Sequence, residues 1–187
     1  ATLQQLRQFL MVETDNGTIS RQESVSMLPP IFFYNHMKPD DRVLDMCAAP
    51  GSKTAQLMEM LYASSKKYQQ PITGYVVGND NDMKRAYLLV HQMQRLANIF
   101  PHIMITNHDA TQFPLLSVAG RKKRFTKVLA DVMCSGDGTL RKSPDLWKRW
   151  RPNLAWSLHD MQLRCAYRAY QVLETGGMLV YTTCSIN

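Results

Sequence analysis

The stretch RVLDMCAAPGSKT, residues 42–54, decides the fold class. Its first part, Arg42–Cys47, is a short, mostly apolar run of the kind that forms a buried strand, and a loop of small residues, Ala48–Gly51, follows it. From Ser52 to Tyr62 the apolar residues then recur at helical spacing. A buried strand, a tight loop and a helix in this order form the repeating unit of α/β folds with parallel sheets.

The same alternation of strand and helix continues along the chain. The further predicted strands are Gly74–Gly78, Ile103–Thr106, Lys127–Asp131 and Met178–Tyr181, and the further predicted helices are Met83–Asn98 and Leu154–Leu173, the second of them capped by Gly176 and Gly177. The 187 residues contain no internal repeat and suit a single domain. We therefore expect an α/β fold with a doubly wound, mostly parallel sheet in residues 41–187, preceded by a helical lead-in over residues 1–40.

A polar or thiol side chain follows the end of each predicted strand. These side chains are Cys47, Asp80, Asp109 and Asp131 after the first four strands, and Cys184 after the fifth. Because parallel sheets bind ligands at the carboxyl ends of their strands, near the point where the strand order reverses, we expect these residues to share one ligand crevice.

The loop after the first strand favours an adenosine-type cofactor. A helix N-terminus directly after Gly51 would suit a carboxylate or a phosphate, and small residues let the backbone approach a ligand. A phosphate-binding P-loop is excluded, because Ser52 and Cys47 stand where that motif requires glycine, and GxGxxG is absent. Asp80 could accept hydrogen bonds from ribose hydroxyls and Asp109 from an adenine amino group, although each could equally be a helix N-cap or turn residue.

Composition narrows the function classes. The formal net charge of +7 favours a polyanionic partner such as nucleic acid, or else merely reflects a solvated lysine-rich surface. The four cysteines form no CxxC pair and have no histidine at zinc-finger spacing, so we expect free thiols rather than a metal site or a disulfide framework. No apolar run is long enough for a transmembrane helix.

The fourth and fifth strands lead to two thiols, Cys134 and Cys184, which would stand beside the same crevice. A thiolate is a strong nucleophile once its pKa is lowered, and a neighbouring acid could protonate the group under attack. These two thiols are therefore candidates for a nucleophilic role, although most free cysteines are small buried hydrophobic residues.

Taken together, these motifs resemble those of the Sun-type RNA cytosine-5 methyltransferases, from about Gly17 to Asn187. The matching segments are Arg21–Pro30, Asp45–Thr54, Asn107–Ala110, Cys134–Thr139 and Thr183–Ser185. The pairing of CSG at 134–136 with TCS at 183–185 is specific, whereas one cysteine motif alone would be weak. Gly138–Lys142, together with Asp145, Trp147 and Trp150, looks most similar to the eukaryotic branch that modifies tRNA.

The resemblance implies a Rossmann-like class I S-adenosylmethionine-dependent methyltransferase, here truncated after the fifth strand, that methylates C5 of cytosine in RNA, most similar to enzymes acting on tRNA. Cys184 would attack C6, Asp131 would hydrogen-bond or protonate the N3 edge, Cys134 would assist product release, and Lys53 would complete the catalytic set. The residues expected to bind or border the cofactor are Cys47, Ala48, Ala49, Pro50, Gly51, Ser52, Lys53, Asp80, Asp109 and Asp131. A monomer without metal or membrane contact, in the nucleus or nucleolus, would match the family.

One departure from the family pattern concerns the loop of Cys134. The family normally has proline before this cysteine, which would fix φ and stiffen the loop, but Met133 stands here. The departure puts the geometry of Cys134 and the turnover step in doubt. It also leaves open a catalytically inactive paralogue or fragment that only binds RNA. A DNA cytosine methyltransferase is disfavoured, because such enzymes generally place the nucleophile at the motif of Cys134.

Two basic clusters are candidates for RNA contacts. The first, Arg121–Arg124, is expected to be a solvated loop. The second contains Lys142, Lys148, Arg149 and Arg151, interleaved with Trp147, Trp150 and Trp156. Exposed aromatic rings could stack on bases, but core packing is the favoured expectation for these tryptophans.

Overall fold

The computed structural model describes residues 2–16, 18–20, 22–97, 101–118 and 120–186. The helices are α1 (Leu3–Asp15), α2 (Leu28–Ile31), α3 (Ser52–Tyr68), α4 (Met83–Ala97), α5 (Leu146–Arg149) and α6 (Pro152–Val172). The strands are β1 (Arg42–Asp45), β2 (Tyr75–Asn79), β3 (Ile103–Thr106), β4 (Leu116–Val118), β5 (Arg121–Lys123), β6 (Phe125–Asp131) and β7 (Leu173–Thr182). Within the described ranges, no helix is both long and apolar enough to cross a lipid bilayer.

Five strands form one parallel sheet in the order β3-β2-β1-β6-β7. Strand β1 lies between β2 and β6, with Leu44 opposite Val77 on one side and Val128 on the other. The strand order reverses at β1, because the chain leaves it toward β2 and β3 and later returns to its other side. The ligand crevice of such a sheet lies where the order reverses, between the carboxyl ends of β1 and β6.

Both faces of the sheet are covered by helices, so the prediction of a doubly wound α/β fold is confirmed. Successive residues of a strand point to opposite faces. Val43 packs in a core cluster with Leu57 of α3, whereas Leu44 packs in another cluster with Cys165 and Ala169 of α6. This alternation explains why the strands read as nearly continuous apolar runs rather than as alternating ones.

Two predicted boundaries were wrong. Helix α3 continues to Tyr68, and Gly176 and Gly177 do not cap α6, because α6 ends at Val172 and β7 begins at once. Gly177 instead allows β7 to approach β6 closely, since a Cβ there would lie 2.8 Å from the carbonyl oxygen of Thr126. Gly17, Arg21, Asn98 and Asn187, which belong to predicted segments, lie outside the described residues.

The first basic cluster is not the loop that the sequence predicted. Part of it forms β5, which pairs antiparallel with β4. Lys122, Lys123 and Arg124 are nevertheless exposed. The carbonyl oxygen of Arg124 accepts a hydrogen bond from Nε of Arg42, at the start of β1. The cluster therefore lies at the amino end of the sheet, opposite the expected crevice.

A buried ion pair joins the amino ends of β1 and β6. Nζ of Lys127 lies 2.6 Å from Oδ2 of Asp41, and both side chains are less than a tenth exposed. The Asp41 carboxylate also accepts hydrogen bonds from the Lys38 backbone N–H and the Thr126 hydroxyl, each 2.7 Å long. A buried charge with its partner removed is strongly destabilising, because it loses water without gaining a counter-charge.

Replacing Lys127 by methionine is therefore expected to lower the free energy of unfolding by about 3–5 kcal/mol. Urea unfolding followed by circular dichroism measures this loss. Lys123→Met is the matched control, because Lys123 is exposed, and it should change stability by less than about 0.5 kcal/mol. Equal effects of the two substitutions would contradict the structural role of the pair.

Candidate active site

A cleft of about 750 Å³ runs along the carboxyl ends of the strands. It is lined by side chains from all five strand ends, including Cys47, Ala49, Asp80, Asp109, Asp131, Cys134 and Cys184. Its volume falls in the range of about 300–1,000 Å³ that is usual for small-molecule and cofactor sites. The structure thus brings together most of the residues that the sequence singled out.

Asp80 lies at the floor of this cleft and is 4% exposed. Its Oδ2 atom accepts a hydrogen bond of 3.1 Å from the backbone N–H of Ala49 and lies 3.4 Å from the guanidinium of Arg85. The same guanidinium donates a 2.6 Å hydrogen bond to the carbonyl oxygen of Ala49. Arg85 therefore locks Asp80 to the loop after β1. Sequence reasoning missed it, because an arginine on a helix usually faces solvent.

Asn79 joins the loops that follow β1, β2 and β3. Its buried side-chain amide donates hydrogen bonds to the carbonyl oxygens of Met46, at 3.1 Å, and His108, at 2.8 Å. The backbone carbonyl oxygen of Asn79 accepts a 2.7 Å hydrogen bond from the backbone N–H of Ala48. Because a buried amide without partners costs free energy, this residue fixes the three loops relative to one another.

Gly51 was expected to let the backbone approach a ligand, but the structure gives a different reason for glycine. The residue has a φ of 114°, and a Cβ there would lie 2.7 Å from Cδ1 of Leu89 in α4. It therefore permits the close packing of two helices. Ala48, Pro50, Gly51 and Ser52 are not among the residues that line the cleft, so their cofactor role stays a prediction.

Asp109 is the N-cap residue that the sequence offered as one alternative, and its role in binding adenine stays a prediction. Its Oδ1 atom accepts 2.8 Å hydrogen bonds from the N–H and the hydroxyl of Thr111, so it is the N-cap of the short 3-10 helix Ala110–Gln112. It also lines the cleft, on the side of β3. Capping fixes the orientation of the carboxylate at the cleft wall.

Asp131 lies at the end of β6 between two partners. Nζ of Lys53 is 2.7 Å from its Oδ2 atom, and the hydroxyl of Thr182, the last residue of β7, donates a 2.9 Å hydrogen bond to Oδ1. Both charged side chains are partly exposed, and that of Asp131 lines the cleft. Lys53 thus reaches the site from the helix after β1 without lining the cleft itself, and Thr182 is a further site residue that the sequence did not reveal.

Asp45 is a buried carboxyl group behind the Lys53–Asp131 pair. It is 1% exposed, and its Oδ2 atom accepts a 2.7 Å hydrogen bond from the Thr54 hydroxyl. Its Oδ1 atom has no hydrogen-bond partner among the described residues. Burial raises the pKa of Asp45 from 3.8 to about 7, although the Thr54 hydrogen bond opposes this shift and the Asp131 carboxylate adds to it.

The two cysteines of the resemblance meet at the edge of the cleft. The Sγ atoms of Cys134 and Cys184 are 3.1 Å apart, within hydrogen-bonding distance for thiols. Burial raises the pKa of the other two thiols, Cys47 and Cys165, so these remain protonated. Only the pair at the cleft edge therefore combines access with an ionisable thiol.

The pair shares its protons. A thiolate on Cys134 accepts the hydrogen bond of the Cys184 thiol, which lowers the pKa of Cys134 to about 6 even though burial opposes the shift. The same hydrogen bond raises the pKa of Cys184, and burial adds to that effect. Because the sulfurs interact so closely, the first proton lost belongs to the pair as a unit.

The loop of Cys134 is held by hydrogen bonds at the position where proline was expected. Nε2 of Gln162 in α6 donates a 2.9 Å hydrogen bond to the carbonyl oxygen of Met133. The N–H of Val132 donates a 3.0 Å hydrogen bond to the carbonyl oxygen of Thr182. Two hydrogen bonds thus hold the loop although methionine stands in place of proline, and the effect of Met133 on turnover stays a prediction.

The expectation of core packing was wrong for two of the three tryptophans. Trp147 and Trp156 are 73% and 79% exposed, and only Trp150 is partly buried. Trp147 lies on the short helix α5 and Trp156 on the first turns of α6, beyond the part of α6 that packs on the sheet. Both rings are free to contact a partner.

The raised pKa of Asp45 predicts a pH-dependent stability. A carboxyl group whose pKa is raised on folding stabilises the protein while it is protonated, and that stability is lost as the pH rises through about 7. Asparagine at position 45 stays neutral at every pH. The free energy of unfolding of Asp45→Asn, measured by thermal or urea unfolding, should therefore rise by about 1–3 kcal/mol relative to that of the wild type between pH 5 and pH 8. A difference in the free energy of unfolding that stays constant between pH 5 and pH 8 would contradict the raised pKa of Asp45. The charged groups nearby, Lys53, Asp80 and Asp131, are present in both.

The sequence of this chain is similar to those of known RNA methyltransferases. Residues 33–187 match the family described as 16S rRNA methyltransferase RsmB/F. A tRNA (cytosine(34)-C(5))-methyltransferase of Drosophila melanogaster is 52% identical over 190 residues, covering 99% of this chain and 25% of that protein. A multisite-specific tRNA:(cytosine-C(5))-methyltransferase of Saccharomyces cerevisiae is 46% identical, over 97% of this chain and 26% of that protein. Ribosomal RNA small subunit methyltransferase F of Shewanella amazonensis is 30% identical, covering 95% and 35%. The chain thus spans about a quarter to a third of the length of these relatives.

Solved structures share the fold. The crystal structure of PH0851 matches with a TM-score of 0.77 and 29% identity, over 93% of this chain and 36% of that one. The crystal structure of NSun6 from Pyrococcus horikoshii with SFG matches with a TM-score of 0.75 and 24% identity, over 94% and 40%.

Proposed function

The chain belongs to the family described as 16S rRNA methyltransferase RsmB/F, and from that membership we propose that it forms the catalytic core of an RNA (cytosine-5) methyltransferase that uses S-adenosylmethionine. The relatives of 46–52% identity are named as tRNA enzymes, which supports tRNA as the substrate. The observation that carries the proposal is the pair of thiols, 3.1 Å apart, at the edge of a cofactor-sized cleft beside Asp131.

The charge of the cleft suits S-adenosylmethionine. Its lining contains five aspartates but only two arginines, although the chain as a whole carries a net charge of +7. An acidic cleft disfavours polyphosphates and favours a cofactor that carries a sulfonium and an ammonium group. Asp80 would accept hydrogen bonds from the ribose hydroxyls and Asp109 would face the adenine. The loop Cys47–Lys53 would border the remainder of the cofactor. The bound cofactor would supply the methyl group for C5.

Cys184 would begin the reaction by forming a covalent adduct. Its sulfur attacks C6 of a cytosine that has left its stack, and the Cys134 thiolate takes the thiol proton through the hydrogen bond that joins the pair. Electrons then move into the ring toward C5 and N3. Asp131 hydrogen-bonds or protonates the N3 edge with a proton that passes to it from the ammonium of Lys53, which lies 2.7 Å from its carboxylate, and this transfer neutralises the negative charge that develops on the ring.

Cys134 would end the reaction. After C5 has taken the methyl group, a base must remove the remaining hydrogen from C5 while the bond between C6 and Cys184 breaks. Cys134 is partly exposed, so it can lose to water the proton it received, and it lies beside the sulfur that must leave. The two cysteines therefore have different roles, although their sulfurs are neighbours.

The second basic cluster would bind the RNA strand. Lys142, Lys148, Arg149 and Arg151 are exposed around α5 and the start of α6, near both exposed tryptophans. Trp156 lines a groove of about 630 Å³ with Tyr181, Thr183 and Ser185, next to Cys184. Basic side chains would contact phosphates there, and the indole would stack on a base beside the target.

The roles of the two cysteines can be separated with RNA that contains 5-azacytidine, which traps the adduct because the ring has nitrogen at position 5. Incubation with this RNA and S-adenosylmethionine should give a covalent band on a denaturing gel. The band should disappear in Cys184→Ala, because the nucleophile is lost. It should persist in Cys134→Ala, because the trapped adduct needs no release step, although it should form more slowly, since the proton of Cys184 must then pass to water.

A band that persists in Cys184→Ala would overturn the assignment of the nucleophile. If the wild-type protein binds cofactor and RNA but forms no adduct, the chain acts as a catalytically inactive RNA-binding protein instead. Cys165→Ala is the matched control, since this thiol is buried against the sheet and should not affect the adduct.

Stacking on Trp156 predicts a loss of RNA affinity without loss of the fold. Trp156→Ala should weaken binding of a labelled single-stranded RNA about 5- to 100-fold, which corresponds to about 1–3 kcal/mol per stacked base. Fluorescence anisotropy at fixed salt measures the change. Tyr68→Ala, at the far end of α3, removes an exposed ring from the opposite edge of the sheet and should have no effect. Equal affinities of wild type and Trp156→Ala would exclude this ring from the RNA site.

A further inference from the structure

Asp137 connects the two loops that carry the cysteines. Its Oδ1 atom accepts a 2.6 Å hydrogen bond from the Ser135 hydroxyl and a second, short one from the Ser185 hydroxyl. Its Oδ2 atom accepts a 2.9 Å hydrogen bond from the backbone N–H of Ile186. Ser135 directly follows Cys134 and Ser185 directly follows Cys184. One carboxylate therefore fixes the residues next to both thiols.

Gly138 makes a second, independent connection. Its N–H donates a 2.9 Å hydrogen bond to the carbonyl oxygen of Cys184. A Cβ at this position would lie 2.7 Å from that oxygen and 3.1 Å from its carbon atom. Two backbone segments touch here, and neither can give way like the end of a flexible side chain. Only glycine permits this approach.

The carboxylate of Asp137 remains charged at neutral pH. Partial burial would raise its pKa, but the hydrogen bonds from Ser135, Ser185 and Ile186 outweigh this and lower the pKa to about 2. Hydrogen bonds to an ionised acceptor are shorter and stronger than those between neutral groups. Neither Asp137 nor Gly138 is among the residues that line the cofactor cleft.

We propose that Asp137 and Gly138 are positioning residues that hold Cys134 and Cys184 at the separation where the two sulfurs share a proton. The contact between the sulfurs needs such support. A thiol is a weak donor, so its hydrogen bond to a thiolate cannot by itself keep two loops in place. The inference rests on the proposed function in one respect only, that these two thiols perform the chemistry.

The first test measures the pH at which the two thiols ionise, in the absence of RNA and cofactor. Alkylation by iodoacetamide at a series of pH values, with each modified cysteine identified by mass spectrometry, gives the pH at which the pair ionises. In the wild-type protein Cys134 should become reactive with a midpoint near pH 6. In Asp137→Ala and in Gly138→Ala the midpoint should move up toward the value of an isolated thiol, about 8.5. The groups that also face the pair, Asp131 and Tyr181, are the same in all variants.

The matched control is Asp145→Ala, which removes an exposed carboxylate eight residues further along the chain, and it should leave the midpoint unchanged. Thermal unfolding and calorimetric titration with S-adenosylhomocysteine identify variants that keep the fold and the cofactor cleft. If Asp137→Ala fails to fold, Asp137→Asn replaces it. Asparagine keeps the size of the side chain, but its amide cannot accept hydrogen bonds at both ends.

The second test is the rate of adduct formation with 5-azacytidine RNA, which should fall at least tenfold in the folded Asp137 and Gly138 variants. Unchanged thiol midpoints in both variants would overturn the inference, even if the wild-type protein forms the adduct and the proposed function stands. Shifted midpoints in a protein whose wild type forms no adduct would support the positioning role and count against the proposed function instead.

Discussion

The parallel pairing of β1 with both β2 and β6 is the constraint on which the site depends. It places the reversal of strand order at β1, so that the loops after every strand of the sheet open onto the same edge. Asn79 then joins three of these loops through buried hydrogen bonds, and Arg85 ties the floor of the cleft to the loop after β1. The ion pair of Lys127 and Asp41 secures the opposite end of the same two strands. A cleft with fixed walls follows from the sheet and not from the loops alone.

The two proposed binding surfaces of the molecule differ in charge. The cleft is acidic, which suits a cationic cofactor, whereas the surface around α5 and the start of α6 is basic and carries exposed indole rings, which suits a polyanion with stacked bases. The two cysteines lie where these regions meet. The basic strand β5 lies at the amino end of the sheet, so it adds to the overall charge without facing the cleft. Net charge alone could not distinguish the two clusters, because only the fold determines which end of the sheet each one occupies.

The sequence was sufficient for the fold class, the family and the strand-end residues such as Asp80 and Asp131, because apolar runs and parallel topology together determine where strand ends meet. The family resemblance is confirmed by the match over residues 33–187. The residues that support the site could not be predicted. Arg85 contacts the backbone of Ala49 and Asp137 contacts Ser185 and Ile186, which are all distant in sequence, and the same residue types are common on any solvated surface. Gly177 was misread as part of a helix cap, because a helix cap and a close contact between strands both favour glycine.

Calorimetric titration with S-adenosylhomocysteine would test whether the strand ends form the proposed adenosine cofactor site with Asp80 at its floor. We expect saturable binding to one site in the wild-type chain. Binding should be lost in Asp80→Ala, because the buried carboxylate would hold the ribose, and retained in Cys184→Ala, because the proposed nucleophile would contact the base and not the cofactor. Absence of binding to the wild-type chain, or equal binding by Asp80→Ala, would contradict a cofactor site built around Asp80.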